Sequence, residues 1–254
     1  MPRHITTLGF LVSTEQDFRH YVYQTSEFGE KIETRNGSYT CWTPGHGIEL
    51  WAQTNLHRRL LGMNPHFRGQ SSVRVEITGR IPRYGSRILD GAFYGWANPS
   101  PIGSDNEIHV PFVFDVPDYD VYDWVHIPCT ARIQLAAFAI RLHCFADDER
   151  YHAALRQSGE QRQQLLTFAP IGMFAPDGRV RHPARAEASF SGRVLATEMI
   201  TNPVTWQKFY RVKVRTLIGE VDVVADPQLV QGRLVPDIII HGEFWLSGRL
   251  LDAW

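Results

Sequence analysis

Between Ile238 and Leu250 the chain reads IIIHGEFWLSGRL, and two glycines recur there in phase with its largest apolar residues. With a strand's period of two, Ile238, Ile240, Gly242, Phe244, Leu246, Gly248 and Leu250 share one face. Residues without side chains alternating with large ones let another backbone come close, as the tight curvature of a small barrel demands. The opposite face carries Ile239, His241, Glu243, Trp245, Ser247 and Arg249, a set that suits either a ligand platform or the decorated outside of a barrel. His241, Trp245 and Arg249 are its candidate ligand-binding residues. An exposed indole on a barrel usually covers something, so Trp245 is expected to pack against the N-terminal part of the chain or a second copy.

The preceding segments repeat the strand pattern. AEASFSGRVLATEM, the turn TNPVTWQ, KFYRVKVRT, GEVDVVAD and the short connection PQLVQGRL follow one another from Ala186. A long first strand with Gly192 near its middle, a meander, and the glycine-bearing last strand resemble an OB-fold over residues 186–254. OB-folds often bind oligonucleotides or oligosaccharides. The basic run Arg211, Lys213, Arg215 beside Phe209 fits a single-strand track. Glu220 and Asp222 on the next strand oppose it, and a formal net charge of -1 supplies no global attraction to nucleic acid, so that partner is disfavoured.

Upstream, HITTLGFLV reads as a strand feeding a helix in STEQDFRHYVYQTSEF, with Ser13 and Gln16 as a capping box and Phe18, Tyr21 and Val22 as the buried stripe. An Asn-Gly turn at 36 and 37, a strand, a Pro-Gly-His-Gly turn and the strand Ile48 to Gln53 come next. Val73, Val75 and Ile77 alternate inward against Arg74, Glu76 and Thr78, and two more strands flank a loop from Asn98 to Asp105. The run Leu135 to Ile140 fits a doubly buried strand or a short Ala-rich helix; periodicity does not arbitrate, and a strand is expected. A second acidic helix start follows, where Tyr151, Ala154 and Leu155 match the first stripe at a constant interval, a faint sign of two related βα units.

HITTLGFLVSTEQDFRHY and GIELWAQTN, in that strand-helix-strand-strand-strand order, resemble one module of the vicinal-oxygen-chelate superfamily, the glyoxalase and bleomycin-resistance relatives. The resemblance covers roughly residues 1–80. It implies metal ligands at His4 and at Glu49, the Glu of an xEL triplet, and a metal-dependent lyase, isomerase or dioxygenase activity. A catalytic member adds a second His and Glu from a second module, which this sequence does not offer. Taken whole, the chain resembles a bacterial family from which no activity carries over.

The expectation is an α+β protein in two domains: a VOC-like βαβββ sheet-and-helix domain over 1–160, a linker over 161–185 where Pro, Gly and polar residues accumulate, and an OB-like β-barrel over 186–254. The expected function is non-catalytic small-ligand binding or scaffolding, with no cofactor indicated. The metal-dependent enzyme, and single-stranded nucleic-acid or oligosaccharide binding on the barrel, are the alternatives. A small-molecule ligand and self-association through the barrel are the partners the pattern allows. No run of about 18 apolar residues occurs, so no membrane partner and a cytoplasmic location are expected. Cys41, Cys129 and Cys144 lie far apart without a CxxC, which reads as reduced, buried thiols. Asp115, Asp118, Asp120 and Asp123 lack EF-hand spacing and read as an acidic loop anchored by Tyr119, Tyr122 and Trp124. A His/Cys site joining His126 and Cys129 to His143 and Cys144 is a weaker candidate.

Overall fold

The computed structural model describes residues 4–83, 89–97, 109–157, 159, 164–173 and 184–253. The chain is α+β and mostly sheet. No described helix is long and apolar enough to cross a membrane. The first departure from expectation comes at once: Ile5–Leu8 form a 3-10 turn, with Gly9 in the left-handed region at φ 80°, where a strand was expected. The apolar character was read correctly, since Ile5, Leu8 and Phe10 are all but fully buried. Their spacing serves a turn that seats them in one core, and a left-handed glycine interrupts any extended run.

Helix α1 (Glu15–Phe28) follows. Its cap is Thr14 with Asp17, one residue beyond the expected pair: the Asp17 N–H donates to Thr14 Oγ1 at 3.1 Å and the Thr14 N–H donates to Asp17 Oδ2 at 2.8 Å. Those backbone donors, from Thr14 and Ser13, hold the Asp17 carboxyl below its usual range. Then β1 (Glu30–Thr34), β2 (Gly37–Gly45), β3 (Ile48–Asn55) and β4 (Leu60–Phe67) form an antiparallel four-stranded sheet in sequence order. The first turn falls at Arg35 and Asn36, because Thr34 pairs with Gly37. β4 was not anticipated; its Pro65 is tolerated because β4 is an edge strand.

The remaining strands are β5 (Val73–Pro82), β6 (Gly91–Ala97), β7 (Val110–Val116), β8 (Cys129–Phe145), β9 (Ala169–Ile171), β10 (Glu187–Thr201), β11 (Lys208–Thr216), β12 (Gly219–Ala225), β13 (Val230–Gln231) and β14 (Ile239–Ala253). Helix α2 (Asp148–Gln157) lies between β8 and β9. β5 alternates as expected, with Val73, Val75 and Ile77 buried and Arg74, Glu76 and Thr78 exposed. The 131–145 run is strand throughout. The expected Asn98–Asp105 loop lies outside the described residues. With no strand ahead of α1 among the described residues, the faint repeat of two βα units is incomplete.

These strands form one ten-stranded sheet that closes on itself twice. In the first ring β10 pairs β11, β11 pairs β12, β12 runs parallel to β8, β8 pairs β14, and β14 returns to β10. In the second, β5 pairs β6, β6 pairs β7, β7 meets β14 at the parallel rung Asp115 to Ser247, and β14 and β8 lead back to β5. β8 and β14 are therefore common to both rings, paired from Ile239 opposite Phe145 to Ala253 opposite Ala131. The expected barrel over 186–254 does close, but only with β8, which lies in the half of the chain assigned to the other domain. The described part of the expected linker is likewise engaged: β9 pairs β10, and Phe168 is buried in the shared core.

Local sequence accounts for the curvature. β10 leaves β14 and takes up β11 at Arg193, one residue after Gly192. On β14 the alternation holds: Ile240, Phe244 and Leu246 are fully buried on the inner face, with Gly242 and Gly248 in phase with them. A side chain at Gly242 would run into the Arg141 carbonyl of β8 and the Phe244 ring. A second core, with Ile48, Leu50, Tyr21, Phe67, Phe138, Phe209 and Trp245, lies under α1 and the four-stranded sheet.

Candidate functional site

The five residues singled out for chemistry fall into two pairs and one outlier. His4 stacks on Trp245, ring centroids 4.4 Å apart and 12° from parallel. Trp245 is 8% exposed, tilts against Phe138 and donates its indole N–H to Asp115 Oδ2 at 2.6 Å. It thus packs against the N-terminal part of the chain. Glu49 meets Arg249 instead, at 3.6 Å.

Glu49 lies on the face of β3 turned away from α1 and is 1% exposed. Its carboxylate accepts the Trp51 indole N–H at 2.9 Å and has Arg68 at 3.3 Å as well as Arg249. Arg249, on the outer face of β14, also donates to Asp118 at 3.0 Å and lies over the Trp51 ring at 4.7 Å. Asp118 accepts the Tyr122 hydroxyl, and its Oδ1 is buried without a partner. A carboxylate between two guanidiniums is electrostatically hostile to a divalent cation, so Glu49 does not suit the metal role that the family resemblance implied. Among the described residues no group of three or more His, Cys, Asp or Glu is placed to hold a metal ion.

His66 stands opposite Glu49 on β4 and is fully buried. Its Nε2 lies 2.8 Å from Gln134 Oε1 and its Nδ1 2.8 Å from Ser247 Oγ. The amide oxygen can only accept, so Nε2 carries the proton and Nδ1 accepts the serine hydroxyl. Gln134 passes its own N–H to Asp222 at 3.3 Å. A serine, an imidazole and an orienting group in a row have the order of a nucleophilic relay. Here Ser247 is 1% exposed, so no substrate reaches it. Burial, with Arg249 and Arg68 nearby, pushes the His66 imidazole down to about 3. This row joins β4 to β8, β14 and β12 where the two rings meet, and no motif or local spacing in the sequence sets His66 apart.

The other candidates are spent or apart. Asp115 binds Arg83 and Trp245, Asp118 binds Arg249, and Asp120 accepts both N–H groups of Asn36. Tyr119 and Tyr122 anchor this segment, whereas Trp124 is 64% exposed. Cys129 and Cys144 lie at opposite ends of β8, so the His/Cys pairing does not form. All three cysteines are free and half-buried. Burial pushes the Cys41 thiol up to about 12 and Cys144 up to about 11, which leaves them poor nucleophiles. On the basic strand, Lys213 reaches Glu220 at 2.7 Å, Arg215 reaches it at 3.4 Å, and Arg211 pairs with Glu198 at 3.9 Å. Phe209, the aromatic platform, is fully buried against Phe67.

His241 is the outlier, and it lines an open cleft. Along the outer face of the β8–β14 pair three successive same-face rungs read Phe145 with Ile239, His143 with His241, and Arg141 with Glu243. Helix α2 covers the apolar end, where Tyr151 meets Phe145 at 5.4 Å and His241 at 6.3 Å between centroids. The far end is an ion pair on the exposed surface. Between them is a cavity of about 430 Å³ floored by the two imidazoles. No local pattern pairs His143 with His241, because they belong to strands nearly a hundred residues apart. No known family model, characterised protein or solved structure matches the chain.

Proposed function

We propose that this is a non-catalytic ligand-binding protein whose small-molecule site is the cleft between α2 and the outer face of β8 and β14. One observation carries the proposal: the three rungs grade from apolar, through paired imidazoles, to a charged pair beneath an aromatic wall. A cleft with an apolar body and a few convergent polar groups is the usual form of a small-molecule site. The grading fits a flat organic acid, its ring against Phe145 and Tyr151 and its acceptor end toward His143, His241 and Arg141. The non-catalytic part draws support from the interior, where His66 and Glu49 are committed to buried partners.

The finer fold assignment belongs to the same proposal. The ring of β10, β11, β12, β8 and β14 supports an OB-like barrel, with β8 supplied from earlier in the chain. Helix α1 with the four-stranded sheet supports a partial VOC-like module that lacks its first strand. Ion pairing along β11 and the buried Phe209 speak against a nucleic-acid track on that barrel.

Saturation-transfer NMR with benzoate, nicotinate and indole-3-carboxylate, against acetate as a ringless control, tests the cleft. The flat acids are expected to show transfer that disappears in the His143→Ala, His241→Ala double variant. Absence of transfer from every flat acid, or transfer that survives the double variant, would remove the proposal.

A further inference from the structure

Between β3 and β4 the chain reads NLHRRL, Asn55 to Leu60, a basic centre with a leucine on each side. Hairpin loops are ordinarily polar, and an exposed leucine there contributes nothing to the fold. Yet Leu56 is 69% and Leu60 40% exposed, and His57, Arg58 and Arg59 between them are exposed as well. The loop is firmly shaped. The Asn55 N–H donates to the Arg59 carbonyl at 3.0 Å and the Arg58 N–H to the Asn55 carbonyl at 2.9 Å. The Asn55 side-chain oxygen accepts the N–H groups of His57 and Arg59 at 3.0 and 2.9 Å. Arg58 is held in the left-handed region at φ 60°, which glycine or asparagine would occupy more easily. The next residue, Leu61, packs back against Tyr39, Trp51 and Leu89. Leu56 and Leu60 are therefore presented outward on a rigid tip, and unfavourable backbone held by over-determined surroundings is characteristic of binding positions.

The neighbouring hairpin adds charge. Gly37 pairs with Thr34 of β1 on one side and with Asn55 of β3 on the other, so the β1–β2 turn and its exposed Arg35 lie at the same end of the four-stranded sheet. Among the described residues none of the three guanidiniums, Arg35, Arg58 and Arg59, is in an ion pair. The acids beside the β1–β2 turn are engaged, Glu33 with Lys31 at 2.6 Å and Asp120 with both N–H groups of Asn36. A formal net charge of -1 gives the chain no overall attraction to anions, so this end of the sheet is a local basic patch with an aliphatic edge. A stable protein partner needs about 20–30 residues a side, far more than two loop tips present. Single-stranded nucleic acid stacks its bases on aromatic rings, whereas the residues flanking the basic centre are leucines. An anionic bilayer meets both features, taking aliphatic side chains into its acyl boundary while its phosphates accept from guanidinium forks.

We propose that this end of the four-stranded sheet docks the protein on membranes of anionic phospholipid. Leu56 and Leu60 enter the acyl boundary, and Arg35, Arg58 and Arg59 meet headgroup phosphates. Such contact needs no crossing segment, so the missing apolar run, which was the ground for expecting no membrane partner, does not bear on it.

The test sediments the full chain with vesicles of phosphatidylcholine alone and with about a quarter of the lipid as phosphatidylserine. Binding is expected only to the anionic vesicles, weakening as salt is raised. Arg35→Gln, Arg58→Gly and Arg59→Gln together are expected to lower the partition by about tenfold or more. Glycine at 58 also relieves the left-handed backbone, so the fold is retained. The Leu56→Ser, Leu60→Ser pair is expected to bind severalfold more weakly, and the His143→Ala, His241→Ala pair as well as the parent. Insertion has its own readout: vesicles with brominated acyl chains are expected to quench Leu56→Trp beyond the parent. No sedimentation with anionic vesicles at low salt, equal sedimentation with neutral ones, or binding that survives the triple arginine variant would each overturn the proposal. So would the absence of added quenching in Leu56→Trp, or tighter binding to single-stranded DNA than to vesicles.

Discussion

Arg249 stands between two carboxylates, Glu49 and Asp118, each 1% exposed, and its removal leaves both without their shared cation. Breaking a buried pair on one side costs about 3–5 kcal/mol, whereas replacing all members by neutral groups costs much less. Arg249→Met is expected to lower unfolding free energy by about that amount in urea titrations. Adding Glu49→Gln and Asp118→Asn should restore part of the loss. A single variant as stable as the parent would show that the network contributes nothing. His66 gives a pH signature. An unfolded histidine takes its proton near 6.5, but the folded imidazole resists until about 3. Between those values the unfolded chain binds the additional proton, so this contribution is complete above 6.5 and is lost as pH falls toward 3, at about 1.4 kcal/mol per pH unit. His66→Gln keeps an acceptor and a donor and removes the titration. The stability gap between parent and variant should therefore narrow as the pH is lowered from about 7 to about 5; a constant gap would mean that His66 is not held neutral. The sequence showed that Glu49 and Arg249 were worth attention. That they bind each other depends on the four-stranded sheet packing against β14, which no local pattern encodes.

Among the elements, β14 was the most legible, because inward glycines and large apolar residues alternate along its length and a one-residue slip would expose the whole set. At Gly242 the constraint is a backbone atom of the paired strand, which cannot give way without opening the pair. Gly242→Ala is expected to cost about 1–3 kcal/mol. Gly62→Ala on edge strand β4 should fall within about 0.5 kcal/mol of the parent, since its nearest neighbour is the flexible Gln53 side chain at 3.5 Å. Equal denaturation midpoints for the two variants would contradict this contrast. The segment from Ile5 to Leu8 misled for the opposite reason. Its burial was evident from composition, but strand and turn bury such short apolar runs equally well, and the choice fell to hydrogen bonds from Asn202 and Thr205, far along the chain.

In the whole molecule β8 and β14 hold two rings together, and one continuous hydrophobic core runs through both. Each ring is completed by one strand from across the expected boundary, β8 in the first and β14 in the second. Residues 186–254 expressed alone therefore lack the strand that closes their barrel and are expected to show no cooperative unfolding transition. The full chain should unfold in a single step with coincident fluorescence and circular-dichroism curves. A folded 186–254 fragment with a sharp transition would instead support the two-domain division.

The sequence by itself determined the strand faces, the curvature of β14 and the amphipathic helices. Each rests on periodicity or on a residue's own backbone preference, and both act within a few neighbours. Only the tertiary structure decided that β8 closes a barrel formed by later strands, that Glu49 faces Arg249 and His4 faces Trp245, and that His143 and His241 lie side by side. Those arrangements are contacts between distant segments, fixed by which buried surfaces and charges must be satisfied together, and a single strand carries no record of its partner.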